Sequence, residues 1–289
     1  MRLVSFESAD GNAEAGILTG ETGERIVPAS AAGAPSNGRE LLGTLDAEGM
    51  RALAGRAADM ADGARSIALA DAKLLAPVPD AQKIICIGLN YRDHAAETGQ
   101  EIPAAPMWFA KFANSLCGSG APVLLPKAHA DYVDYEAEFA LVIGREAHEV
   151  SVESAMSHIA GAMPFNDVSA RDLQLQNPLW TSGKAIDTFA PCGPALVTLD
   201  EIEDIDNLSL RTRVNGETLQ DGTTANLIFG PAELVAWLSR TMTLLPGDII
   251  ATGTPAGVGV ARGRFLRDGD VVEVEIDGLG TLANPIRSG

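Results

Sequence analysis

Residues Asp131 to Ile143 read D-Y-V-D-Y-E-A-E-F-A-L-V-I. Tyr, Val, Phe, Leu and Ile dominate, and no Gly or Pro intervenes before Gly144, so the stretch is predicted as a β-strand. Successive side chains on a strand point to opposite faces. Val133, Tyr135, Ala137, Phe139, Leu141 and Ile143 form an apolar face, while Asp134, Glu136 and Glu138 precede Ala140 and Val142 on the other. Carboxylates spaced at roughly 7 Å are costly unless a cation or water covers them. The segment therefore reads either as a metal site with Glu136 and Glu138 as ligands or as a solvated sheet edge. The rest of the chain has to separate the two.

The chain has 289 residues, enough for one or two domains. With 46% hydrophobic and 21% charged residues it has the composition of a globular protein with a large core. A formal net charge of −18 argues against nucleic acid or an anionic membrane as partner, since both require a basic face. Cys86, Cys117 and Cys192 lack Cys-x-x-Cys spacing and fit a reducing compartment, so the expected location is the cytoplasm. Met1 to Phe6 reads as a first strand without a signal-peptide core. No apolar run approaches the ~18 residues that span a bilayer.

Three strands, Arg2 to Phe6, Ala13 to Leu18 and Glu24 to Pro28, are expected around turns at Asp10-Gly11 and Gly20-Glu21. Residues 38–72 are Ala-rich with helical spacing and predict short helices. Ala76-Pro77-Val78-Pro79 breaks the pattern, which sets a small N-terminal α/β domain, 1–74, before a catalytic domain, 75–289. Ile84 to Ile87 reads as a buried strand, followed by Asn90 as the cap of a short helix. On that helix His94 and Glu97 are three residues apart and share a face, which reads either as the geometry that orients an imidazole as a general base or, for an isolated pair the simpler reading, as an incidental His and Glu on a surface helix. The strand Ala160 to Asn166 runs into Asp167, a candidate third ligand that locally reads equally as a helix N-cap. Gly183-Lys184 is not a phosphate loop, because Pro178 and Ala185 stand at its key positions. Asn215-Gly216 marks a hairpin and Pro231 to Met242 an amphipathic helix. Gly253 to Gly259 is glycine-rich but no dinucleotide fingerprint, since Arg262 replaces its third glycine.

Five blocks together resemble the fumarylacetoacetate hydrolase family. They are Gly88 to Glu97, Asp134 to Glu138, Asn166 to Gln174, Gly183 to Thr188 and Thr252 to Gly259, in the family's order across about residues 83–286. The resemblance implies an α+β, β-rich fold, a mixed β-sandwich roll, assembled as a homodimer. It implies Mg²⁺ or Mn²⁺ held by Glu136, Glu138 and Asp167, in keeping with the affinity of hard cations for carboxylate oxygens. By the same carry-over His94 and Glu97 activate water, Lys184 is catalytic, and Arg171, Gln174, Gly253 and Thr254 bind a 2-oxo acid. The reaction expected first is hydrolysis of the C3–C4 bond of a 2,4-dioxo acid to pyruvate and a carboxylic acid. The alternative in the same site is decarboxylation of an oxaloacetate-type acid or tautomerisation of a 2-hydroxy-diene-dioate. Two other classes compete: a glycosidase, whose carboxyls face each other at ~5 Å or ~6.5–9.5 Å without metal, and a non-catalytic ligand-binding protein.

Overall fold

The computed structural model describes residues 1–20 and 22–289; the Glu21 half of the expected Gly20-Glu21 turn lies outside them. Eleven strands form one mixed sheet: β1 (Arg2–Glu7), β2 (Ala13–Thr19), β3 (Arg25–Pro28), β4 (Ile67–Ala68), β5 (Leu74–Leu75), β6 (Ile84–Gly88), β7 (Met107–Lys111), β8 (Ala137–Ile143), β9 (Ile159–Asn166), β10 (Leu196–Thr198) and β11 (Ile249–Ala251). Their order is β4-β3-β2-β1-β10-β9-β8-β11-β6-β7, with β5 paired to β1 off this path. Only β11 and β6 pair in parallel within it. The N-terminal meander thus joins the sheet of the later strands through Arg2↔Val197 and Leu3↔Leu196. A second sheet of five strands contains Ser209–Val214, Glu217–Thr223, Val271–Ile276, Gly280–Ser288 and Val123–Leu125. Its hairpin turns at Asn215 (φ 52°) and Gly216 (φ 81°), as a two-residue turn with two left-handed positions requires. The α+β, sheet-rich class is as expected.

The helices are short: α1 (Gly38–Thr44), α2 (Ala47–Ala58), α3 (Arg92–Thr98), α4 (Arg171–Gln174), α5 (Thr181–Lys184) and α6 (Pro231–Ser239) are those that matter here. Residues 38–72 are not helical throughout, because β4 forms at their end. α6 stops at Ser239, three residues before the expected Met242.

Two local expectations change. Asp131 to Ile143 is not one strand: Val133–Asp134 pairs with Ser169–Ala170, Tyr135 and Glu136 are irregular, and β8 starts at Ala137. Side chains replace the missing ladder partners at three successive N–H groups. Tyr135 N–H donates to Asp134 Oδ1 at 2.8 Å, Glu136 N–H to Asn166 Oδ1 at 3.0 Å, and Ala137 N–H to Gln220 Oε1 at 2.8 Å. Both faces are buried from Val133 to Ile143, so the solvated-edge reading is wrong.

Asn90 does not cap α3, whose N-cap is Tyr91. Its amide nitrogen donates to the carbonyls of Phe229 and Thr252 at 3.0 and 2.8 Å, and its oxygen accepts from Phe229 N–H at 2.9 Å. It ties the end of β6 to the glycine-rich loop and to the lead-in of α6. Removing it strands three backbone groups, one buried at Thr252 and two half-buried at Phe229, each loss worth about 1 kcal/mol. Asn90→Ala is expected to lower stability by about 3 kcal/mol, a fall in Tm of roughly 6–12 °C, read by scanning calorimetry.

Candidate active site

Glu136 and Glu138, two positions apart across the start of β8, address the same cavity. It is a pocket of about 160 Å³ that His94, Glu136, Glu138, Asp167, Arg171, Gln174, Lys184 and Thr254 help to line. Asp167 comes directly after β9, and its N–H donates to Glu136 O at 3.0 Å, which brings the third carboxylate alongside. One oxygen from each of Glu136, Glu138 and Asp167 lies within 4.8 Å of the others, and all three residues are buried.

Buried carboxylates require cations. Lys184 on α5, 2% exposed, has its Nζ 2.7 Å from Glu136 Oε2 and 2.8 Å from Asp167 Oδ2. Burial works against its charge, but Asp167 and Glu136 outweigh it and raise the pKa, so Lys184 is a firm ammonium. Burial likewise works to raise Glu136, and Lys184 and Arg171 overcome it, holding the carboxyl down at about 2. Glu138 differs. Burial, then Asp167 and Glu136, pushes it well above the carboxylate range, and its hydrogen bond from Gly253 N–H at 2.8 Å does not compensate. Among the described residues no basic side chain lies within ion-pair distance of Glu138.

Asp134, the first carboxylate of the row, does not enter the cavity. Its Oδ1 accepts from Gly259 N–H at 2.7 Å and its Oδ2 from Val260 N–H at 2.9 Å and Arg171 Nε at 2.8 Å. It binds the glycine-rich loop to α4. Arg171 in turn places Nη2 2.7 Å from both Asp134 and Glu136 and donates from Nη1 to Gln174 Oε1 at 2.9 Å. Thr254 donates to Ala137 O at 2.8 Å and accepts from Gln220 Nε2 at 2.8 Å, so toward a ligand it offers one remaining lone pair. Gly253 stands behind Glu138, outside the cavity wall.

α3 brings His94 and Glu97 together. His94 Nδ1 lies 3.4 Å from Glu97 Oε2, and both Glu97 oxygens accept from Gly257 N–H, at 2.9 and 3.1 Å. The glycine-rich loop thus orients the carboxylate that orients the imidazole. Gly99 (φ 65°) ends α3.

Lys111 escaped the sequence analysis. It is fully buried on β7, donates to Val168 O at 3.0 Å and to Phe189 O, and lies 2.6 Å from Asp167 Oδ1. That last contact is a charge contact without hydrogen-bond alignment, so Asp167 Oδ1 has no hydrogen-bond partner. A lysine inside the apolar run Met107 to Phe112 was the available signal.

The donor set fits a divalent cation. Three buried carboxylates converge, and among the described residues Glu138 has no basic side chain within ion-pair distance; all are hard oxygens of the kind such ions prefer. A divalent ion at 100 times its Kd stabilises by about 2.7 kcal/mol. Mg²⁺ or Mn²⁺ is therefore expected to raise Tm by roughly 5–11 °C in a thermal-shift assay, and Glu138→Gln to abolish the rise.

A family model described as "Fumarylacetoacetate (FAA) hydrolase C-terminal" matches residues 83–287. Mitochondrial oxaloacetate tautomerase fahd2 of Xenopus laevis is 41% identical, covering 99% of this chain and 90% of that protein. Mitochondrial oxaloacetate tautomerase FAHD2A of Homo sapiens is 45% identical over 73% of this chain and 68% of its own length. The crystal structure of 5-carboxymethyl-2-hydroxymuconate delta-isomerase from Mycobacterium smegmatis superposes with a TM-score of 0.80 at 36% identity, covering 100% of both chains. These relatives overturn the first expected reaction: they are named for isomerisation, not for hydrolysis of a carbon–carbon bond. The hydrolase class falls with it. No helix of the described residues is long and apolar enough to cross a membrane.

Proposed function

The chain belongs to the fumarylacetoacetate hydrolase family, and on that premise we propose that it is a tautomerase interconverting the enol and keto forms of a short 2-oxo dicarboxylic acid of the oxaloacetate type. The observation that carries this reading is 41% identity across 99% of the chain to a protein named for that reaction. The cavity supports it, since about 160 Å³ lies below the roughly 300–1,000 Å³ of drug-sized ligand sites and suits a small acid.

Enol-to-keto conversion breaks the O–H bond on the C2 oxygen and makes a C–H bond at C3, with no change in composition. Glu136, Glu138 and Asp167 would hold Mg²⁺ or Mn²⁺, which supplies Lewis-acid polarisation of the acid's oxygens. Lys184, kept charged by Asp167 and Glu136, donates to the C2 oxygen and offsets the charge left when the hydroxyl proton departs to water. His94, oriented by Glu97, delivers a proton to C3 and is recharged from solvent; in reverse it removes that proton. Gln174, its Oε1 held by Arg171, has its Nε2 hydrogens left for a substrate carboxylate. Thr254 contributes an oxygen lone pair, and Gly253 acts through Glu138.

Decarboxylation of the same acid passes through the same enolate, and CO₂ yield separates the two. The chemistry is assigned to the 75–289 unit, which contains every residue named, with 1–74 as its flanking domain. A cytoplasmic location is supported by the unpaired thiols of Cys86, Cys117 and Cys192, although the tautomerase relatives are named as mitochondrial. The functional unit is taken as a homodimer, expected by light scattering at twice the 30.1 kDa of one chain.

The deciding experiment tracks the ultraviolet absorbance of enol-oxaloacetate. The magnesium-loaded protein is expected to accelerate its loss without CO₂ release, and His94→Ala to slow the protein-dependent rate by roughly 10²–10⁴-fold while retaining the Mg²⁺ thermal shift. No acceleration by the loaded protein would remove the tautomerase reading.

A further inference from the structure

One wall of the cavity is apolar, and its position is fixed by an unusual seat. Trp180 stands at the start of α5, and the edge of its indole abuts Gly88, the last residue of β6, so closely that an added Cβ there would be 2.3 Å from Cζ3, 3.0 Å from Cη2 and 3.4 Å from Cε3. Gly88 has no positive φ, so the ring, and not the backbone, excludes a side chain at this position. Phe109 of β7 meets Trp180 edge-to-face, with centroids 5.7 Å apart and planes at 69°. The Lys184 ammonium lies 5.1 Å from the Phe109 ring centre, so the aromatic wall stands directly beside the charged group of the site. Trp180, Gly88, Phe109 and Lys184 all line the cavity.

We propose that Trp180, seated on Gly88 and braced by Phe109, is the specificity-determining residue that limits the length of acid the site accepts. The proposal rests on the reading of the site as one for short 2-oxo dicarboxylates and names what restricts them. Three constraints carry it. The cavity is small, Glu136, Asp167, Arg171 and Lys184 on its charged side are held by ion pairs, and Trp180 is the largest side chain in its wall. A rigid apolar wall discriminates by about 10–200-fold for each methylene. The glycine at position 88 is the counterpart of the indole: only without a Cβ does it leave space for the ring edge, and a methyl there forces the ring out of its seat.

The test uses the magnesium-loaded full chain, with binding and turnover read separately. Binding of 2-oxoglutarate and 2-oxoadipate is measured by calorimetry, and turnover with enol-oxaloacetate. Trp180→Ala is expected to improve the affinity for 2-oxoadipate relative to 2-oxoglutarate at least tenfold. Gly88→Ala is expected to weaken both and to raise KM for enol-oxaloacetate. In Gly88→Ala/Trp180→Ala the methyl has no ring to displace, so its effect is expected to vanish, a coupling that mere loss of folding does not produce. An unchanged length preference in Trp180→Ala, or a Gly88→Ala defect that persists in the double variant, would overturn the proposal. Failure of the unsubstituted protein to turn over enol-oxaloacetate would remove the tautomerase reading alone, because the shift in binding with chain length is measured without turnover.

Discussion

Four carboxylates, those of Asp134, Glu136, Glu138 and Asp167, are buried within a few ångströms of one segment, and this charge is the constraint to which the surrounding structure answers. Arg171 lies against Asp134 and Glu136, Lys184 against Glu136 and Asp167, and Lys111 against Asp167. The two lysines divide the work. Lys111 is locked from outside the cavity by two carbonyls and a carboxylate, whereas Lys184 reaches the same carboxylate from within it. Fixed charge on one side and accessible charge on the other is an arrangement that polarises a bound anion without rearrangement. Removing one partner of such a set leaves an uncompensated ion in the interior.

The interrupted strand is where sequence periodicity succeeded and failed at once. The alternation of Glu136 and Glu138 was legible because both side chains do share a face, and the separation of His94 and Glu97 was legible because one helical turn brings them together. Asp134 obeyed the same alternation yet turned to the glycine-rich loop, since the break at Tyr135–Glu136 re-aims what precedes it. Asn90, Lys111 and Gln220 were not readable as structural ties. Each pairs with groups far away in the chain, and local pattern carries no record of a partner 83 residues distant, as for Gln220 and Ala137.

The reaction was harder to read than the site, for a chemical reason. Hydrolysis, decarboxylation and tautomerisation of 2-oxo acids all pass through an enolate, so the same carboxylates, ammonium and imidazole serve each of them. Motifs report the charge that must be stabilised. Which bond breaks to form the enolate depends on which acid fits and how it is seated, features set by the shape of the cavity wall as well as by the ionisable groups.

The ties that complete the site span most of the polypeptide: 115 residues separate Glu138 from Gly253, 160 separate Glu97 from Gly257, and 162 separate Asn90 from Thr252. Contacts of such separation incur loop-closure entropy before they return any stabilisation, which slows folding. On the ribosome, the acidic segment and the imidazole emerge long before Gly253 to Gly259 can meet them. A nascent chain therefore carries a half-built centre through the 115 residues of synthesis that separate Glu138 from Gly253, and the centre closes only as the last quarter of the protein arrives.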